Sequence, residues 1–129
     1  MSAWTIELPG VLPASMNVRE RQSHWVRKKE LDGLIVIIGA LGKAMEIPPA
    51  TGRRSVTITI HKTQRSRTLD DPANLPSRAK SVLDAMTRTG LLKDDNVEWL
   101  EWGGVVEGPK MERVMTVIEL AECPTSTTG

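Results

Sequence analysis

Hydrophobic and polar positions alternate from Trp4 to Leu8, and Pro9-Gly10 stops the alternation, which predicts a strand ending in a turn. Farther on, Leu31, Leu34, Ile35, Ile38, Leu41 and Met45 recur at the spacing of one helical face and predict a helix over 25–45, with Trp25 as its first core anchor. Ile35-Val36-Ile37-Ile38 is wholly β-branched, so strand competes locally. The long stretch without a strong turn signal favours helix, and Pro48-Pro49 and Gly52 end it. Ser55 to Ile60 alternates strictly and is the clearest strand. Leu75, Ala79, Val82, Leu83 and Met86 line one side of an amphipathic helix, with Asn74 as cap, Pro76 in the first turn and Gly90 as the stop. Its other side carries Ser77, Lys80, Ser81, Asp84 and Arg88.

Two more strands complete the pattern. One runs over Val97–Trp102, with Gly103-Gly104 and Val105-Val106 as an extension, and Gly108-Pro109 turns into the other, Arg113 to Leu120. The order β-α-β-α-β-β predicts an α/β chain of the α+β kind, a small mixed sheet of about four strands with two main helices. No internal repeat and no second domain interrupts it. The expectation is one domain over 1–122 and a disordered, small and polar tail over 123–129.

Composition refines this picture in two ways. With four Trp and neither Phe nor Tyr, the core must rest on Leu, Ile, Val, Met and Ala. Cys123 is the single cysteine, so an internal disulfide is excluded, and Cys/His metal-site spacing is absent. Both point to a reducing, cytoplasmic setting. The opening MSAWTIELPG lacks a basic region followed by an apolar one, which argues against a signal peptide, and the longest apolar run, Leu34 to Leu41, is too short to span a membrane.

The net charge of +1 hides a segregation: residues 1–67 carry eleven Lys/Arg against five Asp/Glu, residues 68–129 six against eleven. A basic half beside an acidic half suits a protein that holds phosphates near a carboxylate-bound cation. Chance segregation of solvated charge explains it equally well. The basic stretch 17–29 reads as a phosphate-contacting arm running into the first helix. His24 within it has no activating neighbour, so a structural role is favoured over a catalytic one.

The chemistry concentrates in Arg65 to Val97. A basic loop with Arg65 and Arg67 leads to Asp70-Asp71; the helix with Lys80 and Asp84 follows; then comes Asp94-Asp95-Asn96. Adjacent carboxylates repel, and an ordered cluster of them calls for a compensating cation. A few carboxylates, with water and phosphate oxygens in the remaining positions, is how Mg²⁺ is held at phosphoryl-transfer sites. A helix of about fifteen residues is some 20 Å long, so its ends meet only if the second loop runs back along it or a second subunit contributes. Each piece also has a plain structural reading. Asp70 or Asp71 could favour the helix N-terminal dipole, Asp94-Asp95-Asn96 could be a turn, and Lys80 and Asp84 could be an exposed i, i+4 pair.

Taken together, Asp71-Pro-Ala-Asn74-Leu75, Lys80-Ser-Val-Leu-Asp84-Ala-Met86, Gly90-Leu91-Leu92 and Asp94-Asp95 resemble the RusA-type Holliday junction resolvases, common in phages and prophages. Pro13-Ala-Ser-Met-Asn17 and the alternating strand before the acidic loop fit the wider frame, so the resemblance covers residues 4 to about 120. It implies a Mg²⁺-dependent homodimeric endonuclease, with Mn²⁺ able to substitute, that resolves four-way DNA junctions by paired symmetric nicks. Carried over residue by residue, Asp71 and Asp95 bind metal and are catalytic, and Lys80 is the catalytic helix lysine. Asn74 organises the loop, and Asp84 and Asp94 support the site. Many members carry Asp-x-Asp-Asn; here Ala73 stands at the second aspartate and Lys80 lies six residues after Asn74 rather than three, so Asp70 becomes the candidate substitute metal ligand.

On this reading Arg19, Arg21, Lys28, Lys29, Arg65 and Arg67 track DNA phosphates, and the protein works in a cytoplasm, the bacterial host's if it is phage-encoded. The alternative from another class is a non-catalytic module that binds branched DNA on the same fold, which Ala73 favours.

Overall fold

The protein, seen in a computed structural model, is described over residues 2–13, 23–63 and 78–124. The elements follow the expected order: strand β1 (Ala3–Pro9), helix α1 (His24–Ala44), strand β2 (Arg54–His61), helix α2 (Ala79–Arg88), strand β3 (Leu100–Glu107) and strand β4 (Met115–Glu122). They form an α+β fold with one four-stranded mixed sheet in the order β1-β4-β2-β3. β4 is antiparallel to both β1 and β2, while β2 and β3 are parallel and joined through α2. A parallel neighbour cannot be reached by a tight turn, so the β2–β3 connection needs a crossover. That requirement puts α2 and its two flanking loops where the candidate site lies.

One face of the sheet packs on the helices. Ile6 and Leu8 of β1, Val56, Ile58 and Ile60 of β2, and Ile118 and Leu120 of β4 are buried with Leu34 and Ile38 of α1 and Val82, Ala85 and Met86 of α2. The strict alternation of β2 reappears as alternating buried and half-buried positions, the period-two signature of a strand covered on one side. Gly103 sits where β3 carries one residue more than β2, and a Cβ there would overlap Thr57 Oγ1. Gly104 beside it holds φ at +92°, so the pair makes the bulge possible.

Both helices end by the left-handed route. After α1, the Ile47 N–H donates to the Gly42 carbonyl (2.9 Å) and the Glu46 N–H to the Lys43 carbonyl (3.1 Å), a Schellman motif. Its left-handed position is Glu46 (φ 57°), not glycine. After α2 the same position is Gly90, as expected, and its N–H donates to the Thr87 carbonyl (3.2 Å).

Several expectations need correction. Trp25 is 77% exposed and anchors nothing; it sits on the solvent side of α1 with the Lys28 ammonium 5.9 Å from its ring centre. β3 starts at Leu100 rather than Val97, because the Asn96 carbonyl accepts both the Trp99 (3.1 Å) and Leu100 (2.9 Å) N–H groups and curls 97–99 into a turn. β4 runs two residues past Leu120, and Cys123, assigned to the tail, donates its N–H to the Arg53 carbonyl (3.0 Å). Residues 125–129 lie outside the described residues, as do Leu75, Pro76 and Asn74.

Arg54 is the least expected core residue, 2% exposed at the start of β2. Its guanidinium donates to the Leu91 carbonyl (3.0 Å) and the Pro48 carbonyl (2.8 Å), stands 3.5 Å from Glu122 Oε1 and stacks 4.9 Å over the Trp4 ring. The loops after both helices, and the outer strand β1, are thereby tied to the central strand. Charge-assisted hydrogen bonds to buried carbonyls contribute roughly 1.5–3 kcal/mol each, whereas a long ion pair to a half-exposed carboxylate contributes about 0–1 kcal/mol.

Arg54→Met should therefore lower unfolding stability by about 3–5 kcal/mol and Glu122→Gln by under about 1 kcal/mol, read from urea midpoints at constant m-value. Equal losses would show that the ion pair, not the carbonyls, is what Arg54 serves. Glu46→Gly should raise stability by about 1 kcal/mol by removing the left-handed cost from the α1 terminus, measured the same way. A loss would mean that the Glu46 side chain stabilises the turn by more than its backbone costs.

Candidate functional site

The candidate site grows out of the end of α2. Ten residues make this helix about 15 Å long. Its start is held by the Arg78 Nη1 donating to the Pro13 carbonyl (2.6 Å), and its inner face by Val82, Ala85 and Met86. Past Gly90, Leu91 and Leu92 turn into the core, the Leu92 N–H donates to the Met86 carbonyl (3.2 Å), and Arg54 holds Leu91. The chain is thus brought back alongside the helix it has just left. As a result Asp94 and Asp95 line a small cleft of about 220 Å³ together with Asp84, Thr87 and Arg88. The loop thus lies beside the second half of the helix, at residues 84, 87 and 88, while Asp70 and Asp71, which it was expected to meet near the helix start, lie outside the described residues.

The two aspartates of the loop do different things. Asp94 Oδ1 accepts the Asp95 N–H (2.8 Å) and its Oδ2 accepts from Asn96 Nδ2 (3.2 Å), so both carboxylate oxygens organise the turn. Asn96 Oδ1 then accepts the Glu98 N–H (3.0 Å). The Asp95 carboxylate makes no hydrogen bond or ion pair among the described residues and is exposed. Asp84 is half-buried on α2 and is likewise unpaired among them. The pairing of Lys80 with Asp84 is not realised: Lys80 is exposed, its ammonium forms no ion pair with Asp84, and it does not line the cleft.

Asp70, Asp71, Asn74, Arg19, Arg21, Arg65 and Arg67 lie outside the described residues. Among the described residues no three His, Cys, Asp or Glu side chains converge closely enough to hold a metal ion. What the described part offers a hard cation is two carboxylates, Asp84 and Asp95, whose oxygens are uncommitted. That donor type fits Mg²⁺, which binds through one or two carboxylates and keeps water or phosphate in its other positions. Asp94 fits less well, because a ligand role would cost it the bonds that shape the loop.

Other titratable groups are accounted for structurally. His61 donates from Nδ1 to the Pro109 carbonyl (2.8 Å), which closes the turn between β3 and β4. Burial, followed by the Glu101 carboxylate that accepts its S–H at 3.2 Å, pushes the Cys123 thiol up, which disfavours a thiolate nucleophile. Lys62, 3% exposed at the exit of β2, has Glu107 Oε1 3.8 Å away; its burial has no signal in the sequence beyond its place at a strand end. A cavity of about 550 Å³ lies between Pro9 and residues 110–115, lined mainly by exposed turn side chains, and does not touch the aspartates.

Of the basic residues expected to meet phosphate, Lys28 and Lys29 are described, both exposed on α1. Two further cations share a cleft with Lys28: Arg27, which belongs to the basic stretch 17–29, and Arg88, which was not expected to meet phosphate. The signal for the first was present, since His24, Arg27, Lys28 and Leu31 stand at i, i+3, i+4 and i+7 on one helical face. No helix among the described residues is long and apolar enough to cross a membrane. No family model matches the chain, and no curated protein matches it.

Proposed function

We propose that this chain is a metal-dependent endodeoxyribonuclease that resolves four-way DNA junctions, a RusA-type resolvase acting as a homodimer in a cytoplasm. The observation that carries this reading is the return of the loop after α2, which sets Asp95 in one cleft with Asp84 while Asp94 is spent on the turn. The resemblance assigns metal binding to the second member of that pair and a supporting role to the first, the same division of labour.

On this reading Asp95 and Asp71, with Asp70 in place of the aspartate that Ala73 lacks, hold Mg²⁺, or Mn²⁺ in its stead. Bound there, the cation would polarise the scissile phosphate and lower the pKa of the attacking water. In-line attack would form the water-oxygen-to-phosphorus bond, the water giving up a proton to solvent, and break the bond to the 3′ oxygen, which would leave with a proton from solvent. Asp84 supports the site from α2, Asp94 fixes the loop, and Asn74 organises the first acidic loop. Lys80 faces solvent on α2 and offsets charge that develops on the phosphate. Ala73 also favours a second reading, a branched-DNA binding module without catalysis.

A synthetic four-way junction in Mg²⁺ separates the two. The wild-type chain should nick opposite strands symmetrically. Asp95→Asn and Asp71→Asn should each slow cutting on the order of 100-fold or more, with junction affinity within about threefold of wild type. Asp94→Asn should lose less, about tenfold, by loosening the turn. A gel shift without nicks by the wild-type chain would establish the binding module instead. Cutting by either Asp95→Asn or Asp71→Asn at the wild-type rate would remove that residue from the metal site.

A further inference from the structure

A second cleft, of about 410 Å³, adjoins the carboxylate cleft and shares a wall with it. His24, Arg27, Lys28, Leu31 and Asp32 of α1 form one side and Arg88 of α2 the other, and Arg88 also lines the cleft that holds Asp84 and Asp95. Three permanent cations and a histidine therefore face a single acid. None of Arg27, Lys28 and Arg88 has an ion-pair partner among the described residues. Water screens these exposed side chains, so they are held together at little cost, and the excess of positive charge they leave in the cleft favours an anion there.

The placement of these cations runs against the helix they sit on. The first turn of α1, capped by Ser23, whose side chain accepts the Val26 N–H, carries His24 and Arg27 and no acidic residue. Positive side chains at a helix N-terminus are unfavourable to its dipole, and an oxyanion there relieves the conflict. Two guanidinium groups on different helices suit a phosphate in particular, since each presents a planar fork of donors to two oxygens. The volume, set against about 30 Å³ for a water molecule, has room for a phosphodiester with its hydration.

We infer that this basic cleft seats a backbone phosphate of the DNA strand whose neighbouring phosphate enters the carboxylate cleft, with Arg88 at the boundary steering the strand from one to the other. The inference rests on the nuclease reading and deepens it. It adds Arg88 to the binding surface, sets Arg27 beside it and fixes the direction in which the strand approaches Asp95. Arg88 is a positioning residue here: it holds the flanking phosphate and leaves the reacting atoms to the carboxylates. An acidic peptide would use only the basic cleft, because the carboxylate cleft would repel its next side chain, whereas a nucleic-acid strand sets its next phosphate where a cation bound at the carboxylates would meet it.

The test is binding of a four-way junction in Ca²⁺, to prevent cutting, across a series of salt concentrations. Arg27→Gln/Arg88→Gln is compared with a control of equal charge loss at exposed sites away from both clefts, Lys43→Gln/Lys110→Gln. The Arg variant should bind about tenfold more weakly and reduce the slope of log K against log salt by about 1–2, while the control keeps the wild-type slope. Both should unfold at the wild-type temperature, since all four side chains are exposed. In Mg²⁺ the protein concentration that gives half-maximal cutting should rise about tenfold in the Arg variant, the loss falling on binding as a positioning role requires. A wild-type slope in the Arg variant, or the same loss in the control, overturns the cleft assignment while leaving the nuclease reading in place. No salt-dependent binding by the wild-type chain overturns both.

Discussion

The buried guanidinium of Arg54 is the contact on which the rest of the structure leans. A fold with one covered sheet face and two helices leaves the loops beyond the helices without strands to hold them. Arg54 enters the core at the first residue of the central strand and reaches the carbonyls of Leu91 and Pro48, one beyond each helix. A charge removed from water at that depth is tolerable only because its donors are met by backbone oxygens, a half-exposed carboxylate and the Trp4 ring. The same bonds set the path of the chain from Leu91 towards Asp95. The fold and the candidate site therefore share one constraint: whatever loosens the Leu91 turn also moves the aspartates that follow it.

The charges around α2 are sorted by what the backbone has already consumed. Asp94 spends its oxygens on the turn, Asp95 and Asp84 keep theirs, and Arg88 stands between the acidic cleft and the basic one. This sorting gives the proposed reaction a polarity. In the proposed reaction the strand would be held on the α1 side by cations and presented to oxygen ligands on the loop side, where a divalent cation would be needed to bring phosphate and carboxylate together.

The order of elements and the inner faces of β2 and α1 are legible in the sequence because burial on one side imposes a period, two for Ser55–Ile60 and near 3.6 for Leu31–Leu41. Trp25 misleads because its hydrophobicity outweighed its position. Six residues before Leu31 it lies about 120° off the buried stripe at 100° per residue, and it faces solvent. Val97 misleads for a different reason: apolar residues at 97–100 read as a strand, but Asn96 captures two N–H groups and delays it. Arg54 could not have been found from pattern, since an arginine opening a strand reads as solvated. The Asp94-Asp95-Asn96 sequence allowed both a turn and a ligand loop. Geometry divides the roles within it, a distinction that residue types alone do not carry.

In the proposed site Asp95 is the metal ligand in the cleft beside α2 and Asp84 supports it from the helix, and paramagnetic broadening of backbone amides by Mn²⁺ tests this most directly. Titrating Mn²⁺ into the ¹⁵N-labelled full chain without DNA should broaden the amides of residues 84, 87 and 95 first and most strongly, and excess Mg²⁺ should restore them. Broadening that begins elsewhere, or none at these amides at millimolar Mn²⁺, would contradict the account.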